Sequence, residues 1–81
     1  MDYEKLIADL VKPLVLKPEE VQVITTSNED NVISLQVLVN PDDLGRVIGR
    51  KGRIANSIRT LAFACAAREG KKIEIAIEER Q

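Results

Sequence analysis

The sequence has no histidine and no tryptophan, and only one cysteine, one tyrosine and one phenylalanine in 81 residues. Without histidine the commonest metal ligand and general base is missing, so a zinc site or a histidine-activated nucleophile is a poor starting hypothesis. A single cysteine, Cys65, cannot close an intramolecular disulfide and gives no reason to expect an oxidising compartment. It is expected to be a small core residue. No stretch approaches the roughly 18 to 20 apolar residues of a membrane span, and the N-terminus lacks a basic segment followed by an apolar run. These absences predict a soluble, cytoplasmic, non-enzymatic domain spanning residues 1–81, with no metal, no cofactor and no membrane partner. At this length a single core is marginal, and a partner subunit would help it.

Net charge is also nearly absent, at −1, but its distribution is uneven. Residues 1–45 carry three lysines against nine acidic side chains, a balance of −6. Residues 46–72 carry eight lysines or arginines against Glu69 alone, a balance of +7, and residues 73–81 give −2. Such polarisation predicts a basic face within an acidic chain.

The centre of that basic segment is Gly45-Arg46-Val47-Ile48-Gly49-Arg50-Lys51-Gly52-Arg53-Ile54. Gly49 can adopt positive φ and end a preceding helix, and Gly52 leaves the entrance of the next helix bare. Amides at a helix start have no internal partner and carry partial positive charge, so they attract an anion. Arg46, Arg50, Lys51 and Arg53 add full charges, the arginines as bidentate forks and the lysine as a point charge. Val47, Ile48 and Ile54 are expected to form an apolar floor for bases. Phosphate on the loop and base on the floor is a way to hold single-stranded nucleic acid. A Walker loop needs Lys and then Ser or Thr at its end, and a dinucleotide fingerprint needs a third glycine in place; neither is present.

Periodicity places this loop among other elements. Asp2 caps a helix carrying Tyr3, Leu6, Ile7, Leu10, Val11 and Leu14 on one stripe, and Pro13 ends it near Val11 or Lys12. Val21 to about Thr26 and Val32 to Val39 form an antiparallel hairpin across a turn at Ser27–Asn31, with Ile33, Leu35, Val37 and Val39 on the inner face. Asn40-Pro41-Asp42-Asp43 starts a short helix that runs to about Ile48, with the two aspartates in its first turn. A long helix follows from Arg53 to about Glu69, closed by Gly70, with Ile54, Ile58, Leu61 and Cys65 expected on its core face. Its other side is also apolar, and Ala62, Phe63 and Ala66 are expected to meet a second subunit. Lys71 to Ile77 makes a third strand with Ile73, Ile75 and Ile77 inward. The result is a two-layer α+β domain, three strands under three helices on one face.

In this order of elements, Val47-Ile48-Gly49-Arg50-Lys51-Gly52-Arg53-Ile54 resembles the signature of the KH domain in its type II topology, α-β-β-α-α-β with a mixed sheet. The longer string from Asn40 to Gly49, followed by Arg53 and Ile58-Arg59-Thr60-Leu61, resembles the small bacterial single-KH family often called KhpA, over essentially the whole chain. The resemblance implies an RNA chaperone or post-transcriptional regulator that pairs with itself or with a larger KH-containing protein. It also implies that Gly49, Arg50, Lys51 and Gly52 face the sugar-phosphate backbone of single-stranded RNA while Val47, Ile48 and Ile54 line the base groove. With two aromatics in the chain, stacking contributes little, and one clamp should bind at roughly micromolar affinity or weaker. The competing readings are a protein-interaction module whose loop is incidental, an RNA-modifying enzyme subunit, and preference for single-stranded DNA.

Overall fold

The Asp2 carboxylate accepts a hydrogen bond from the Lys5 N–H at 3.0 Å and starts α1 (Tyr3–Val11). Its apolar stripe buries Tyr3, Ile7 and Val11, and Pro13 then tightens the chain into a 3₁₀ turn at Lys12–Leu14. After a second such turn at Pro18–Glu20 come β1 (Gln22–Glu29) and β2 (Val32–Val39). In this computed structural model, which describes residues Met1–Gln81, the remaining elements are α2 (Leu44–Ile48), α3 (Arg53–Ala67) and β3 (Lys72–Glu79).

The sheet order is β1-β2-β3, antiparallel between β1 and β2 and parallel between β2 and β3, so the expected mixed three-stranded α+β architecture is present. The hairpin is tighter than its sequence suggests. Ser27, Asn28 and Glu29 remain paired, and the turn is only Asp30 and Asn31, both at left-handed φ of 54° and 62°. Two successive left-handed residues match the twist of paired strands, and Asp and Asn tolerate that conformation. A bulge between Thr25 and Ser27 resets the register along the way.

β2 supplies the centre of the core: Ile33, Leu35, Val37 and Val39 are buried under Ile7, Val11 and Val47. Each such side chain contributes about 1.5–3 kcal/mol of transfer free energy. α1 lies over β1, and α2 and α3 lie over β3.

The face that α3 turns inward differs from the expected stripe. Ala55, Ile58, Ala62 and Ala66 are buried, Ile54 and Cys65 are half-buried, and Leu61 is exposed. The true stripe is thus turned by about one residue, because small alanines let a helix approach a sheet closely while two adjacent apolar stripes look alike in sequence. Ala62 and Ala66 therefore belong to the monomer's own core and cannot be the partner contact expected of them. The apolar side chains α3 leaves outside are Leu61 and Phe63, 45% and 55% exposed.

Gly70, at φ 72°, closes the helix, with the Lys71 N–H on the Ala66 carbonyl and the Gly70 N–H on the Ala67 carbonyl. Tyr3 donates its hydroxyl to Glu69 at this corner and ties α1 to the α3–β3 turn. The bond holds the phenol protonated, its pKa pushed up to about 12, and keeps the Glu69 carboxyl below the usual range.

Candidate nucleic-acid interface

α2 stops at Gly49, whose N–H donates to the Gly45 carbonyl at 2.9 Å. Its φ of 78° with ψ of 172° is a conformation essentially closed to residues bearing a Cβ. A Cβ there would also stand 2.6 Å from Ile54 Cγ1. Arg50–Gly52 then make a single 3₁₀ turn, with the Gly52 N–H on the Gly49 carbonyl. Lys51 and Gly52 are both left-handed, at φ 58° and 74°. A Cβ on Gly52 would meet nothing within 4 Å, so this glycine keeps the outer approach open. No side chain caps the start of α3.

Around this turn Arg46, Arg50, Lys51 and Arg53 are exposed, as a phosphate-holding set requires. Arg46 is also anchored, its Nε 3.4 Å from the carboxylate of Asp43. Asp43 is 1% exposed, and its two oxygens accept the Leu16 and Lys17 backbone N–H groups at 3.0 and 3.1 Å. Its role is therefore more than that of a first-turn acid. It is the tie that fastens the segment between α1 and β1 to the helix carrying the loop. The sequence did carry a signal: Asp43 lies four residues before the buried Val47, on the inward side of the turn.

The expected apolar floor is only partly available. Val47 is fully buried in the core, beneath the surface where a base would lie, so it supports the floor without lining it. Ile48 and Ile54 are half-buried and retain accessible surface. A shallow hollow on the outer face of the sheet, bordered by Thr26, Ser34, Gln36, Glu74 and Glu78, offers carboxylates and is unsuited to a phosphate chain.

β3, packed by α2 and α3, has a free edge. The Lys72 N–H donates to the Asn31 carbonyl and the Arg80 N–H to the Val39 carbonyl. With that parity the even-numbered residues of β3 turn their backbone groups to β2, and Ile73, Ile75 and Ile77 turn theirs outward. Arg59, on α3, donates from Nε and Nη2 to the outward carbonyl of Ile75, both at 3.3 Å. Nothing in the sequence pattern separates Arg59 from an ordinary solvated arginine, because its partner is sixteen residues away.

The chain as a whole resembles known proteins. The KhpA/KhpB KH domain family matches residues 4–77. "RNA-binding protein KhpA" of Listeria monocytogenes is 47% identical over 76 residues, covering 94% of this chain and 99% of that one. The protein of the same name in Clostridium perfringens is 43% identical over 74 residues, covering 91% and 97%. Among solved structures, a variant of Aquifex aeolicus Era superposes with a TM-score of 0.71 at 18% identity, covering 96% of this chain and 30% of that one. Era solved with a segment of 16S ribosomal RNA superposes with a TM-score of 0.66 at 17% identity, covering 95% and 29%. With a glycine-bounded cationic turn on an α-β-β-α-α-β scaffold and a family match across almost its whole length, this chain belongs to the KhpA/KhpB KH domain family.

Proposed function

We infer that this chain is an RNA-binding protein that clamps single-stranded RNA. The Gly49–Gly52 turn takes the phosphate backbone, with Arg46, Arg50, Lys51 and Arg53 supplying charge, and the half-buried Ile48 and Ile54 receive bases. The observation that carries this reading is the turn itself: three of its four residues have positive φ, and the helix start behind it is uncapped. Gly49 and Gly52 adopt that conformation without a Cβ penalty, but Lys51, at φ 58°, holds it at a cost of about 1–2 kcal/mol. The relatives' names point the same way, since they are named as RNA-binding proteins.

The finer role we propose is that of an RNA chaperone or post-transcriptional regulator in the cytoplasm, without catalytic activity of its own. No helix is long and apolar enough to cross a membrane. Pairing with a second copy or a larger KH-containing protein would cover the exposed Leu61 and Phe63 and add a second clamp, raising avidity.

Fluorescence anisotropy with a labelled single-stranded RNA at low salt tests the clamp, comparing the native protein with the Arg50→Asp, Lys51→Asp double variant. Native binding at roughly micromolar Kd that weakens steeply with salt is expected, with binding lost in a variant that circular dichroism shows to be folded. Equal binding by both proteins, or by neither, would overturn the loop's role and favour a protein-interaction module.

A further inference from the structure

We propose that Arg59 selects the base that lies against the β3 edge, admitting guanine and rejecting adenine; this rests on the RNA clamp inferred above. The outward edge of an uncovered strand offers a donor and an acceptor from the same residue. At Ile75 these would be its N–H and its carbonyl, the complement of the adjacent acceptor and amino group of adenine. Here the acceptor is already used. Two N–H groups of Arg59, Nε and Nη2, converge on the Ile75 oxygen at 3.3 Å each and take up both of its lone pairs. What remains at this point is a row of donors: the Ile75 N–H and the other N–H groups of the guanidinium, whose Nη1 has only Asn56 Oδ1 as a partner, at 3.5 Å.

A row of donors fits a base that presents neighbouring acceptors. Guanine does so with O6 and N7, whereas adenine would set its amino group against the guanidinium, where the Ile75 carbonyl is already taken. An amino group left without a partner on binding is penalised more than a matched pair is rewarded. Arg59 is well placed for this, since α2 and α3, the helices joined by the glycine turn, both pack against β3, and Arg59 of α3 itself reaches that strand's free edge. Capping an exposed edge is the simpler role for the same contact, and it predicts no dependence on the base.

The test is an NMR titration of the ¹⁵N-labelled full chain with uridine hexanucleotides carrying one central guanine or one central adenine. The native protein should bind the guanine oligonucleotide on the order of ten-fold more tightly, and the Ile75 amide should shift with it. Arg59→Met keeps the aliphatic stem but frees the Ile75 carbonyl, and should reverse the preference toward adenine. Arg59→Lys, with a single donor group, should fall between the two and serves if the Met variant does not fold. The Arg50→Asp, Lys51→Asp variant should lose both ligands alike. Equal native affinities, or a guanine-to-adenine ratio unchanged in the Arg59 variants, would overturn base selection while leaving the clamp standing. Failure of the native chain to bind either oligonucleotide would overturn the clamp, and base selection with it.

Discussion

The two edges of the sheet are each met by one charged side chain from the helical layer, and they differ in what surrounds that contact. At β1, Glu4 of α1 accepts from the Thr25 N–H at 3.0 Å and from its hydroxyl at 2.5 Å, beside a bulge that interrupts the strand. At β3, Arg59 donates to the Ile75 carbonyl, and pairing with β2 runs unbroken from Val32↔Lys72 to Val39↔Glu79. A bulge plus a charge blunts an edge against pairing. The β3 edge, packed by the helices that carry the uncapped start and the exposed cations, is instead unbroken, as the ligand surface we propose requires. The same local device, one ionised side chain on one backbone group, thus closes one side of the molecule and, in the base selection we propose, shapes a site on the other.

Asp43 joins the two sides, because the segment it holds leads to β1 and the helix it sits on leads to the loop. Removing it should have the largest effect. Asp43→Ala leaves two amides without their acceptor and should cost about 3 kcal/mol in urea denaturation, a large share of the stability of a domain this size. A loss below about 1 kcal/mol would mean that water replaces the carboxylate and the two sides are not tied there.

The two glycines of the turn should separate next. Gly49→Ala meets both a forbidden conformation and Ile54, and should cost about 2 kcal/mol and abolish RNA binding. Gly52→Ala has room for its Cβ in a left-handed conformation that Lys51 already tolerates, so about 1 kcal/mol is expected. Its larger effect should be on RNA affinity. Equal stability losses for the two would show that the turn relaxes freely.

The smallest effect sharpens the contrast between edges. Glu4→Gln keeps an acceptor for Thr25 and removes only the charge, so stability should fall by about 0.5 kcal/mol with RNA affinity unchanged. A change in RNA affinity would bring the β1 edge into the interface and end the distinction drawn between the two sides.

Much of this molecule is legible one element at a time. Asp2, Pro13, Asn40 and Gly70 act where their local chemistry places them, at helix starts and ends. The alternation in β2 identifies the buried face because a strand has only two faces to choose between. The inward stripe of α3 differs by one residue from the expected one, because a helix apolar on two adjoining stripes has no such binary choice, and which stripe turns inward depends on how closely the sheet allows it to approach. Ala62 and Ala66 are accordingly buried where a surface contact is expected, and Leu61 is exposed where the core is expected. Val47 lies below the expected base floor for a similar reason, since a motif gives order along the chain but not depth.

The sequence by itself determined the order of elements, the inner face of the sheet and a glycine-bounded cationic turn, since each follows from residue conformation and period over a few neighbours. Only the tertiary structure decided that Asp43 is buried against Leu16 and Lys17, that α3 turns its alanines inward, and that Arg59 reaches Ile75. Those contacts join residues sixteen or more apart or depend on the distance between packed layers, and chain-local chemistry contains neither.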